Sequence, residues 1–251
     1  MKIEKYHGIG NDFLITQDAT LIDNHNLIKS LCNRYTGLGA DGLIIVKTNP
    51  LEMVFYNQDG TRGEMCGNGI RCFSLYCYNH KLIDSEKFIV STLDGEKIIK
   101  IESTNPFITS VKMGTFTNKC DIYNIEYNNA TYKVYFINFG VPHAVIYTND
   151  LIDDALGSYI SNHKYFKNKT NVNFVQVLNK NQIKLKTYER GVGFTKACGT
   201  GSCASFIICK QLNLVDNNVL VMQELGNLEI TNQQNDIIMK GPAVKIADII
   251  L

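Results

Sequence analysis

The sequence predicts an α+β protein built as two similar lobes. Three features carry that prediction. Segments of strand character outnumber those of helical character, they lack the regular strand–helix alternation of a doubly wound sheet, and one cysteine motif occurs twice, about half a chain apart.

Alternating or β-branched runs lie, in order, at residues 43–46, 52–56, 87–92, 96–102, 131–138, 144–147, 172–178, 182–188, 219–223, 228–231 and 237–240, the period-two signature of half-buried strands. Helical spacing of apolar residues covers 24–34, 69–79, 151–161 and 201–212. With 251 residues, 45% of them hydrophobic and 20% charged, the chain has enough apolar material for one large core or two modest ones.

Charge excludes whole classes of partner. Twenty-five Lys+Arg stand against 24 Asp+Glu, a formal net charge of +1, and no basic cluster is interleaved with aromatics, so nucleic acid is not expected as a partner. No run of about 18 apolar residues is present, so no membrane span is expected. Residues 1–10 carry Lys2, Glu4, Lys5 and His7 without an apolar run and do not read as a signal peptide. Eight cysteines in such a chain read as reduced thiols, and the expected location is the cytoplasm.

The repeat is the most informative pattern. Tyr56 precedes Cys66-Gly67-Asn68-Gly69 by ten residues, Tyr188 precedes Cys198-Gly199-Thr200-Gly201 by the same ten, and the two copies stand 132 residues apart. Each copy reads as strand, glycine-bearing loop, Cys-Gly-polar-Gly turn and apolar helix. A cysteine at a helix entrance faces unpaired N–H groups and the positive end of the helix dipole, which bring a thiol from about 8.5 into roughly the 3.5–7.5 range. The exposed amides form a cradle for a carboxylate or phosphate. One such turn suits a nucleophile or an anion site. Two suit inversion of a carbon α to a carboxylate: one sulfur removes a proton from one face, the other supplies a proton to the opposite face, and the amides take up the enolate charge.

The other six cysteines, Cys32, Cys72, Cys77, Cys120, Cys203 and Cys209, read as packing residues. No Cys-x-x-Cys pair exists to support a zinc knuckle or a thioredoxin-like centre. Arg71 and Lys196 read as solvated.

These residues resemble those of the diaminopimelate epimerases, cofactor-independent enzymes that invert one stereocentre of LL-diaminopimelate to give the meso form. The resemblance begins at His7-Gly8-Ile9-Gly10-Asn11-Asp12-Phe13 and continues through Gly39-Ala40-Asp41-Gly42, Asn57-Gln58-Asp59-Gly60 and Met65-Cys66-Gly67-Asn68-Gly69-Ile70-Arg71-Cys72. It resumes at Pro142-His143, Asn171-Val172-Asn173-Phe174 and Tyr188-Glu189-Arg190-Gly191-Val192-Gly193, and closes at Ala197-Cys198-Gly199-Thr200-Gly201. What it implies is specific. Cys66 and Cys198 would be the acid–base pair. Asn11, with the turns Gly67-Asn68 and Gly199-Thr200, would hold the reacting carboxylate and amine. Asn57, Asn173 and Arg190 would grip the distal amino-acid end, and His143 and Glu189 would orient or engage the substrate ammonium. No metal and no cofactor would take part, and the only protein partner expected is a second copy of the chain in a homodimer. The resemblance also implies a curved mixed sheet around the helix that follows each cysteine, with residues 1–113 and 242–251 in one lobe and 114–241 in the other.

Three positions depart from the family pattern. Gly42 stands where Gln is common, Val141 where Asn often precedes Pro-His, and Phe194 where Glu commonly follows the Glu-Arg-Gly-x-Gly stretch. Losing one polar contact relaxes selectivity by roughly 1–3 kcal/mol, so a racemase or epimerase of another amino acid, histidine or a lanthionine-type substrate, stays open. Two further readings of the cysteines stay open as well: a cysteine nucleophile with His143 as base in acyl transfer or hydrolysis, and a non-catalytic module that binds a small anion.

Overall fold

The structure, a computed structural model, describes residues 1–117, 119–148 and 152–251. In chain order these form β1 (Lys2–Gly8), β2 (Asn11–Thr16), α1 (His25–Cys32), β3 (Gly42–Thr48), β4 (Leu51–Asn57), β5 (Arg62–Gly63), α2 (Gly67–Asn79), β6 (Lys87–Thr92), β7 (Gly95–Thr104) and β8 (Phe107–Thr115). There follow β9 (Asp121–Tyr127), β10 (Ala130–Phe139), β11 (Val141–Tyr147), α3 (Asp154–Ser161), β12 (Asn171–Asn179), β13 (Gln182–Glu189), β14 (Gly193–Thr195), α4 (Gly199–Gln211), β15 (Asn218–Gln223), β16 (Gly226–Gln233), β17 (Asp236–Pro242) and β18 (Val244–Ile250). The fold is α+β. Leu151, the first residue of the helix expected at 151–161, lies outside the described residues.

The chain divides into two compact units, Met1–Lys112 with Lys240–Leu251, and Met113–Met239. In the first, the sheet runs β18–β1–β2–β3–β4–β6–β7–β8, with β5 sharing the outer edge of β4 with β6. In the second it runs β9–β10–β11–β12–β13–β15–β16, with β14 sharing the outer edge of β13 with β15. Parallel pairs fall at equivalent places. β2/β3 and β4/β6 in one unit answer to β11/β12 and β13/β15 in the other. A parallel neighbour needs a crossover, which α1 and α2 supply in the first unit and α3 and α4 in the second. The cysteine repeat is therefore the visible part of a repeated topology.

Both central helices are buried on nearly every side. α2 is covered from Gly67 to Cys77 and packs on β1, β2, β3, β4 and β18. α4 is covered from Gly199 to Cys209 except at Thr200, and packs on β10, β11, β12, β13, β15 and β16. A helix covered on every face is a core helix, and each sheet wraps its own. Sequence spacing places these helices two residues late, at 69 and 201, because Gly67-Asn68 and Gly199-Thr200 are poor helix formers. They become helical because a cysteine side chain caps the turn.

Seven of the described strands lie outside the runs expected from the sequence, β1, β2, β5, β8, β9, β14 and β18, and three of them have local causes. β5 and β14 are two and three residues long. β1 carries Glu4 into the core at 2% exposure. Burial alone would raise that carboxyl, but hydrogen bonds from Tyr6, Lys245 and His80 reverse the effect and bring it down to about 2. Arg71 is a correction. Expected in solvent, it is fully buried, because the face of α2 that carries it meets β1 and the returning chain near Pro242 rather than water. Lys196 is exposed and pairs with Glu224. No described helix is long and apolar enough to cross a membrane.

Candidate functional site

Cys66 is the N-cap of α2, in extended conformation, and its Sγ accepts the N–H of Gly69 at 3.4 Å. Ser, Thr, Asp and Asn are the usual caps; a sulfur in their place gives a weaker cap and a reactive atom at the positive end of the helix. Asn11 arrives here because Ile9 and Gly10 form a two-residue turn with both φ positive, 49° and 89°, between β1 and β2. Primed hairpin turns need that conformation, and a buried isoleucine in it is strained. The Asn11 Oδ1 accepts from Asn68 Nδ2 at 3.0 Å and lies 3.9 Å from Cys66 Sγ, which donates to it. Asn11, Cys66 and Asn68 thus form one hydrogen-bonded group.

Around that group lie charges that sequence reasoning did not assign. Asp41 Oδ2 accepts from Asn11 Nδ2 at 2.5 Å and from the Asp12 N–H at 3.1 Å. Arg34 bridges Asp12 and Asp41 at 2.7 and 2.5 Å, and Lys5 sits 3.1 Å from Asp12. Burial opposes charge on Asp12, yet Arg34 and Lys5 hold its carboxyl below the ordinary carboxylate range. Arg71 donates to Gly67 O at 3.0 Å, Asn68 Oδ1 at 3.0 Å and Pro242 O at 3.2 Å. Gly8 leaves room for it, since a Cβ there would stand 2.8 Å from Nη2. Asn57 is not in this group: it is exposed at the end of β4 and donates to Thr61 Oγ1 at 3.0 Å.

The second unit repeats the cap. Cys198 is the N-cap of α4, and its Sγ accepts the N–H of Gly201 at 3.3 Å and lies 3.7 Å from Thr200 Oγ1. Its own N–H donates to Gln223 Oε1 at 2.7 Å. Asn173, fully buried, donates from Nδ2 to His143 Nδ1 at 3.0 Å and accepts from Thr187 Oγ1 at 3.0 Å. His143 is fully buried too, and burial, with the Arg190 charge, brings its imidazole down to about 3. A neutral ring that accepts at Nδ1 carries its proton on Nε2, and that atom has no hydrogen-bond partner among the described residues. Glu189 Oε1 accepts from Thr195 Oγ1 at 2.8 Å, while Arg190 donates from its backbone to Asn171 Oδ1 at 3.0 Å and from its guanidinium to Asn168 O at 3.1 Å.

Gly201 joins Asn173 to Cys198. A Cβ there would stand 2.4 Å from Asn173 Oδ1 and 3.0 Å from Cys198 Sγ. Gly201→Ala is therefore expected to destabilise the second unit by about 1–3 kcal/mol, read as a lowered denaturation midpoint. An unchanged midpoint would mean that Asn173 and the cap move aside freely.

The departures from the family pattern have structural settings. A side chain at Gly42 would meet Tyr56 O at 2.6 Å and Phe55 Cε2 at 2.7 Å, so Phe55 fills that space. Phe194 packs on Tyr188 and Phe174, with Lys186 Nζ 4.0 Å from its ring centroid. Val141 is half-buried as the first residue of β11. Of the remaining cysteines, Cys32, Cys72, Cys77, Cys203 and Cys209 are buried and Cys120 half-buried. Burial pushes Cys32 and Cys209 up to about 12. Among the described residues, no group of three or more His, Cys, Asp or Glu side chains could hold a metal ion.

Comparison with known proteins follows the same lines. The family model described as diaminopimelate epimerase matches residues 3–118 and 135–246. A diaminopimelate epimerase of Alkaliphilus metalliredigens is 37% identical, over 98% of this chain and 95% of its own. One of Clostridium perfringens is 36% identical, over 99% and 98%. Among solved structures, a hydroxyproline epimerase of Agrobacterium vitis superposes with a TM-score of 0.73 over 99% of this chain and 90% of that one, at 10% identity, a likeness of fold alone.

Proposed function

The chain belongs to the diaminopimelate epimerase family, and on that premise we propose that it converts LL-diaminopimelate into the meso form by proton transfer at two sulfurs, without a cofactor. One thiolate, of Cys66 or Cys198, takes the α-proton, and the C–H electron pair moves into the carboxylate as an enolate. The other S–H then gives its proton to the opposite face of the same carbon. The turnover ends with thiol and thiolate exchanged, so either cysteine can begin. A single base tends to return the proton to the face it left, which is why inversion calls for two.

The observation that carries this reading is the doubling: two topologically equivalent units, each with a cysteine capping its central helix and accepting the N–H three residues on. The amides of Gly67, Asn68, Gly199 and Thr200 support the enolate charge, with Asn11 beside them. Arg190 suits a distal carboxylate, since a guanidinium fork matches it with two parallel bonds, and Asn57 belongs to the same end. Glu189 suits an ammonium. His143 orients the substrate beside the ammonium end; Asn173, which belongs with Asn57 and Arg190 at the distal end, holds its tautomer, and neither changes protonation in the reaction. The working location is the cytoplasm and the assembly a homodimer. β18 supports the latter as an edge strand that pairs only with β1 among the described residues and exposes Val244, Ile246 and Ile250.

Solvent-isotope exchange tests the reading. In heavy water, LL-diaminopimelate is expected to gain α-deuterium and give the meso isomer, whereas L-histidine is not. Exchange of histidine alone would move the substrate to another amino acid, as the Gly42 and Phe194 settings allow. A covalent acyl adduct on either cysteine, without exchange, would replace the chemistry altogether.

A further inference from the structure

A carboxamide has one end that only accepts hydrogen bonds and one that only donates, and turning it over exchanges them. Two such groups, Asn11 and Asn68, lie in a line whose ends are both committed. Asp41 Oδ2, an acceptor only, takes Asn11 Nδ2 at 2.5 Å; Asn11 Oδ1 takes Asn68 Nδ2 at 3.0 Å; Asn68 Oδ1 takes Arg71 Nη2, a donor only, at 3.0 Å. Neither amide can turn over without facing acceptor to acceptor at Asp41 or donor to donor at Arg71. The consequence falls on Cys66, whose Sγ donates to the Asn11 oxygen across 3.9 Å.

We propose that Asp41 is a positioning residue for proton transfer at Cys66: it holds the Asn11 carboxamide with its oxygen, and not its NH2, toward the sulfur. The S–H form then has an acceptor for its proton, while the Gly69 N–H at 3.4 Å serves the sulfur as a donor. A group that must be thiol at one stage and thiolate at another is thereby supported in both. Asp41 is itself fixed. Its Oδ1 takes Arg34 Nη2 at 2.5 Å, its own N–H donates to Asp12 O at 2.9 Å, and Arg34 and Lys5 hold Asp12 in turn. The kinetic consequence rests on the epimerase reading; the amide orientation does not.

Asp41→Asn keeps the shape and removes the acceptor-only end, so the Asn11 amide becomes free to reverse. The experiment is a double-mutant cycle on the full chain with Asp41→Asn, Asn11→Ala and the pair. In heavy water with LL-diaminopimelate, Asp41→Asn is expected to lower kcat for α-deuterium incorporation about ten- to a hundredfold, with no further loss when Asn11 is already alanine. Separately, iodoacetamide alkylation of Cys66 at pH 7, read by mass spectrometry, is expected to quicken severalfold in Asp41→Asn, because an NH2 turned toward sulfur favours the thiolate. That gain should vanish in the Asn11→Ala background. An Asp41 effect of the same size with and without Asn11, or none in either assay, overturns the proposal. Should Asp41→Asn fail to fold, Asp41→Ser removes the acceptor-only carboxylate with a smaller side chain, and in the same cycle an effect of equal size with and without Asn11, or none in either assay, overturns the proposal as well. A wild-type chain that does not exchange LL-diaminopimelate would sink the epimerase reading alone, and the alkylation cycle would still decide the role of Asp41.

Discussion

Cys66→Ala and Cys198→Ala are each expected to lower the rate of meso-diaminopimelate formation by about 10²–10⁴-fold or more, the range of a general acid or base removed from a proton transfer. The loss should not come from unfolding. Each sulfur caps one helix through one N–H, and losing a cap costs about 0.5–2 kcal/mol, which leaves most of the chain folded. The two variants should also differ from each other. With one sulfur left, a proton can still leave one face and return to it, so each variant should exchange α-deuterium with retention from one stereoisomer only, LL in one case and meso in the other. Proton NMR of both isomers in heavy water reads this directly. Inversion at the wild-type rate in either variant removes the two-sulfur mechanism.

Arg71→Ala is expected to give the largest loss of stability, about 3–5 kcal/mol, because it removes three buried hydrogen bonds made by a charged donor and leaves a cavity where a large side chain packed. The guanidinium is fully buried and donates to Gly67 O, Asn68 Oδ1 and Pro242 O, so its removal leaves those acceptors without their donor and opens a cavity under α2. For a chain of this size that corresponds to a fall in Tm of about 10 °C, measurable by circular dichroism. Arg71→Lys should recover only part of it, since an ammonium is not a fork. A fall of under about 1 kcal/mol in Arg71→Ala would mean that the buried contacts are replaceable.

Much of the fold was legible because it is written locally. The strands at 182–188 and 228–231 alternate apolar and polar residues, and the repeated Cys-Gly-polar-Gly turn announced two equivalent helix entrances. Some segments were illegible because their burial contradicts their chemistry. β1 buries Glu4, which is tolerated only because Tyr6, His80 and Lys245 come from elsewhere to meet it. Arg71 was read as solvated for the same reason: a charged side chain is read outward unless its partners are known, and one of them, Pro242, lies 171 residues away.

The site divides along the same line. The sequence by itself determined which atoms can react and where they sit on the chain: two thiols, each at the start of a helix whose amides favour negative charge, in a chain belonging to the diaminopimelate epimerase family. Those properties belong to residue types and short spacings. Only the tertiary structure decided how the polar groups around them are turned. Asn11 meets Asp41 from 30 residues away and Asn68 from 57, and His143 meets Asn173 from 30. The orientation of an amide or the tautomer of an imidazole depends on which atoms face it, and those atoms come together only when strands distant in sequence are laid side by side.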